Sequence, residues 1–137
     1  MKEFFLILFF AKSILLTPSS VDLTSEWLRI PLEENLEAIT SGAAIYVDVT
    51  KHVSTDTSID ELDATFPVST IKARLVHDDG QETLLDNSSA YSFEEDKVYL
   101  SLDATDGVPT GKEFSALYVK SDKPFNGVYL VWMNHRK

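Results

Sequence analysis

The residues of this chain with chemical potential are three histidines, 22 aspartates and glutamates, and a scatter of serines and tyrosines; cysteine is absent. Without cysteine there is neither a disulfide framework nor a thiolate metal site. His52, His77 and His135 are well separated. No two have the i, i+4 spacing that presents a pair of imidazoles to zinc from one helical face. Calcium prefers several carboxylate and carbonyl oxygens. The candidates are Asp56, Asp60, Glu61 and Asp63; Asp78, Asp79 and Glu82; Glu94, Glu95 and Asp96; and Asp103 with Asp106. None has EF-hand spacing, so a solvated acidic surface is the expectation.

The stretch from Gly107 through Val108, Pro109, Thr110, Gly111 and Lys112 to Glu113 approaches a phosphate-binding loop but departs from it. One residue is missing between the glycines, Glu113 stands where a magnesium-binding Ser or Thr belongs, and a strand follows where a helix is needed. No Gly-x-Ser-x-Gly elbow supports a nucleophilic serine. Paired carboxylates are too common in so acidic a chain to indicate general acid–base catalysis. Asn87-Ser88-Ser89 forms a glycosylation sequon, equally explained as a turn. No catalytic residue, metal ligand or cofactor is therefore assigned.

The elements that would position any site are strands. Ala43 to Thr50 alternates, with Ile45, Val47 and Val49 facing one way and Tyr46, Asp48 and Thr50 the other. Ser69 to His77 and Lys97 to Asp103 alternate likewise, the latter with Tyr99 and Ser101 outward. Asp78-Asp79-Gly80 marks a hairpin turn, since glycine tolerates positive φ. Trp27 to Leu32 reads as an edge strand because of Pro31. Glu33 to Ile39 has the spacing of a short helical turn, and His52 to Asp63 reads as a long polar loop. About seven strands with frequent turns predict an all-β fold. The expected form is a single immunoglobulin-like or jelly-roll β-sandwich over residues 21–137, the first name meaning topology only.

Glu113 to Ser121 and Gly127 to His135 are expected to pair as a final hairpin. Leu117, Val119, Val128, Leu130 and Trp132 would then share one face. Phe114, Ala116, Tyr118, Tyr129, Val131 and Met133 would share the other. A half-exposed hairpin should alternate with polar residues, so the second face needs a cover. The cover is either the chain itself, from Trp27 to Ile39 or the neighbouring strands, or a ligand on an aromatic platform of Tyr118 and Tyr129. Tyr99, outward on its own strand, completes the candidate binding set.

Residues 1–20 have the three-part layout of an export signal. Lys2 opens it, an apolar run of eight from Phe4 to Ala11 follows, and Thr17-Pro18-Ser19-Ser20 closes it. A membrane anchor or a helix packed on the domain are the alternatives; spanning needs about 20 apolar residues. Any membrane contact runs through this segment, if it is retained. Charge is uneven along the chain, whose total is −10. Asp22 to Asp106 holds 19 acidic and 5 basic residues, a net of −14, whereas Gly107 to Lys137 holds 2 and 5, a net of +3. A phosphate backbone needs a basic footprint, so nucleic acid is not the expected partner. The functional expectation is a secreted or periplasmic, non-enzymatic module that binds a basic protein. The alternatives are a carbohydrate-binding module using Tyr99, Tyr118, Tyr129 or Trp132, and a calcium-dependent enzyme. The sequence sets neither the partner's identity nor the oligomeric state.

Overall fold

The computed structural model describes residues 11–135, with side chains described from Ser13 to Asn134. Ten strands and one short helix make up the described residues. In order these are β1 (Ala11–Leu15), β2 (Val21–Leu23), β3 (Leu28–Ile30), β4 (Leu36–Glu37), β5 (Ala44–Asp48), α1 (Ile59–Thr65), β6 (Ile71–His77), β7 (Glu82–Glu94), β8 (Lys97–Asp103), β9 (Glu113–Ser121) and β10 (Phe125–His135).

The fold is all-β, but it is a single curled antiparallel sheet and not a sandwich of two sheets. The hydrogen-bonded order runs β1-β10-β5-β8-β7-β6-β9-β3, with β2 also on β10 and β4 also on β9. The alternation in the sequence is the physical reason for the curl. One face of each long strand is apolar, and a lone sheet buries that face only by bending around it. Val47, Leu75, Leu85, Leu100, Leu117 and Leu130 are all at most 1% exposed on that inner side.

The expected final hairpin does not form. β9 pairs with β6, β3 and β4, whereas β10 pairs with β5, β1 and β2. The stretch from residue 11 to 37 runs along the edge of β10 and then crosses to the edge of β9, so it links the two sides that a hairpin would have joined directly. β3 stands at the end of the strand order and stops at Ile30, as Pro31 requires. The stretch read as a helical turn at Glu33–Ile39 instead gives β4, in register with β9 through Leu36 and Phe114.

α1 begins within the His52–Asp63 stretch expected to be loop and runs two residues beyond it. Ser58 caps it: its Oγ accepts from Glu61 N at 3.2 Å, and Glu61 Oε1 accepts from Ser58 N at 3.1 Å. This reciprocal cap satisfies two otherwise orphaned donors. The helix buries Leu62, and Phe66 just beyond it meets Phe125 at 5.0 Å between ring centroids.

The sequon asparagine is neither a turn residue nor open to solvent. Asn87 lies within β7 and is 0% exposed. Its Oδ1 accepts from Ile71 N at 2.9 Å, and its Nδ2 donates to the carbonyls of Phe66 and Pro67 at 3.1 and 2.9 Å. Just beyond it the pairing of β7 with β8 shifts between Asn87 and Tyr91, and Ser89 takes φ 72°. The shift marks a bulge.

β1 falls inside the stretch read as an export segment, residues 1–20, whose first ten residues lie outside the described range. It pairs with β10 from Leu15 opposite Val131 to Ala11 opposite His135. Leu16 and Thr17 after it are buried. No helix among the described residues is long and apolar enough to cross a membrane.

Candidate functional site

Outward positions on neighbouring strands fall into rows, because side chains alternate at period two and antiparallel partners face the same way. Across β10, β5 and β8 one row reads Tyr129, Asp48, Tyr99; the next reads Val131, Tyr46, Ser101. Leu15 on β1 extends the second row. Tyr46 and Tyr99 sit diagonally, ring centroids 5.9 Å apart and tilted by 39°. Tyr129 is 37% exposed and Leu15 57%, with Tyr46 and Tyr99 half-buried.

Carboxylates surround these rings. Burial raises the Tyr46 hydroxyl above its ordinary range, and the negative charges of Asp103 and Glu94 raise it further. Burial likewise raises Tyr99; Lys97 opposes this, while Asp48, Glu94 and Asp96 add to it. Asp48 is fixed in place. Its Oδ1 accepts from Thr50 N and Oγ1 at 3.0 and 2.6 Å, and its Oδ2 lies 3.7 Å from Lys97 Nζ. Asp103 accepts from Ser101 Oγ at 2.9 Å. Among the described residues, Glu94, Asp96 and Asp103 have no cation at ion-pair distance. An aromatic surface beside unneutralised carboxylates suits ammonium and guanidinium groups, which the ring faces and the anions attract together.

Tyr118 lies elsewhere. On β9 it stands in register between Arg29 of β3 and Arg74 of β6. The Arg74 guanidinium lies 4.4 Å from the Tyr118 ring centroid and 4.9 Å from that of Trp27; Arg29 is 5.9 Å from Tyr118. Lys120 Nζ lies 4.9 Å from the Trp27 centroid. The structure therefore brings Tyr99 and Tyr129 together and separates Tyr118 from them. It also places Trp132, considered for sugar stacking, in the core at 1% exposure.

The other chemical candidates stay dispersed. No group of three or more His, Asp or Glu that could hold a metal occurs among the described residues. His52 Nε2 contacts the Asn126 carbonyl at 2.7 Å. His77 is buried, with Nε2 2.8 Å from Thr83 Oγ1, and its ring lies against Phe114. A cleft of about 350 Å³ opens beside Ile14, Leu36, Ile39, Trp132 and Asn134. Its buried amide is already engaged: Asn134 accepts from Ile39 N at 2.7 Å and donates to the Glu37 carbonyl at 2.8 Å.

Tyr46, Asp48 and Asp103 complete the site. Strand alternation marks Tyr46 and Asp48 as outward, but only the strand neighbours reveal that Asp48 lies between Tyr129 and Tyr99, with Tyr46 in the next row. Comparison with protein-family models, curated proteins and solved structures gave no match to this chain.

Proposed function

We propose that this chain is an exported, non-enzymatic interaction module that binds a cationic protein surface through the outer face of β10, β5 and β8. The observation that carries this is the row Tyr129, Asp48, Tyr99, with Tyr46 beside it, set among the unpaired charges of Glu94, Asp96 and Asp103. A net charge of −10 adds a long-range attraction for a basic partner, which speeds encounter and makes it salt-sensitive.

A decalysine peptide serves as the probe, titrated calorimetrically into the full chain. Glu94→Gln with Asp103→Asn is expected to weaken binding roughly fivefold or more, the scale of losing interfacial charge contacts. Asp56→Asn with Asp106→Asn changes the net charge by the same amount away from the face and should have little effect. Equal losses in the two double variants would mean that the peptide senses total charge only, and the face assignment would be wrong.

Export rests on the layout of residues 1–20. Protein recovered outside the cytoplasm is expected to have an intact mass that lacks Met1–Ser19; a mass that includes them would refute removal there. Such removal would take β1, Leu16 and Thr17 with it and leave that edge of β10 without β1.

A further inference from the structure

We propose that the cationic surface recognised by the Tyr129–Asp48–Tyr99 face is the outer face of β3, β9 and β6 on a second copy of this chain. This rests on the binding role assigned to the first face and names its partner. The chain is acidic, yet its basic side chains are gathered. Four of the eight lysines and arginines with described side chains, Arg29, Lys72, Arg74 and Lys120, lie on those three adjacent strands. Arg29, Tyr118 and Arg74 form one row, and Lys120 and Lys72 face each other in the next. Trp27 covers Arg74 and Lys120.

The two faces are chemical complements. One presents tyrosines among carboxylates; the other presents Arg29, Lys72 and Lys120, while Arg74, held against Trp27 and Tyr118, is already ion-paired to Glu82 at 3.7 Å. β7 separates them on one side of the strand order, and the sheet curls between them. They therefore point in different directions and cannot satisfy each other within one copy. A contact between copies would join unlike patches, so each added copy leaves one face of each kind open. Such heterologous contacts build rings or open chains, unlike a two-fold dimer that uses one patch twice. The net negative charge of each copy opposes approach over long range. At about 0.15 M salt the screening length is roughly 8 Å, which damps that repulsion more than the close contacts across the interface.

The test is sedimentation of the full chain at rising concentration in about 0.15 M salt, with two double variants. Arg29→Glu with Lys120→Glu reverses the basic face; Glu94→Lys with Asp96→Lys reverses the acidic one. Wild type is expected to grow in size with concentration. Each variant alone is expected to weaken self-association at least roughly tenfold, the scale of reversing interfacial charge pairs. An equimolar mixture is expected to re-associate, because the acidic face kept by one variant meets the basic face kept by the other and the two reversed faces are again opposite in charge. That recovery also shows that both variants are folded. Lys112→Glu with Lys123→Glu, which makes the same change in net charge as the basic-face variant at residues outside both faces, should assemble like wild type.

A wild type that stays monomeric, or a mixture that stays as two monomers, would overturn the proposal. Decalysine binding separates this failure from failure of the first face. Binding that survives Arg29→Glu with Lys120→Glu but not Glu94→Lys with Asp96→Lys, in a protein that never self-associates, leaves the face and removes the second copy. Binding indifferent to both pairs removes the face as well.

Discussion

Trp132→Ala is expected to destabilise the chain by about 3–5 kcal/mol, the usual cost of truncating a buried tryptophan. Trp132 is 1% exposed and meets Phe114 edge-on at 6.1 Å between ring centroids. Its strand neighbours in register are Ile14 on β1 and Ile45 on β5. The three strands hold their spacing through backbone hydrogen bonds, so the vacated volume cannot collapse easily, and the cavity adds to the lost transfer energy. Urea unfolding followed by circular dichroism should show a lower midpoint with an unchanged slope, the mark of lost stability without a change in the unfolded chain. Trp132→Phe, which keeps an aromatic ring, should cost clearly less. A loss below about 1 kcal/mol for the alanine variant is the scale of a surface change and would contradict the core placement.

Asn87→Ala is expected to cost roughly 2–4 kcal/mol, because a buried polar group left unpaired costs about 1–3 kcal/mol. Three backbone groups depend on the one amide: the Ile71 N–H and the carbonyls of Phe66 and Pro67. They belong to the chain that leads from α1 into β6, so the amide links that connection to β7. Asn87→Gln keeps the chemistry but lengthens the side chain in a site with no exposure, and it should not restore stability fully. Amide hydrogen exchange gives the local readout: the Ile71 N–H should lose protection in Asn87→Ala. Retained protection there, with near-wild-type stability, would mean that the amide does not hold this connection.

Much of the architecture is legible in the chain because alternation reports which way a side chain faces. Ile45 and Val47 in β5, Val49 just after it, and Val98, Leu100 and Leu102 in β8 are buried as their period-two pattern requires. The Asp78-Asp79-Gly80 turn also follows from local chemistry, with Gly80 at φ 90° joining β6 to β7. Alternation does not report which strand lies beside which. Sequence proximity suggested that β9 and β10 pair, but the preceding residues 11–37 occupy the edges of both. A β9–β10 hairpin would set Tyr118 beside Tyr129, but Tyr118 sits between two arginines and Tyr129 shares its row with Tyr99.

Short elements were the other loss. β2 and β4 have three and two residues, too few for a period to show. α1 did carry a signal, Ser58 followed three residues later by Glu61, inside a stretch whose polarity resembled a loop. The roles of Asn87 and Asn134 depend on backbone groups brought in from distant parts of the chain, and nothing local to either residue announces them.

The most direct test of the binding role is to record amide chemical shifts of the isotope-labelled full chain during a decalysine titration. The account predicts that the largest changes cluster at Tyr46, Asp48, Tyr99, Asp103 and Tyr129, and that they shrink as salt is raised. Changes centred on the Asp56–Asp63 stretch, or spread evenly over every acidic surface, would contradict it.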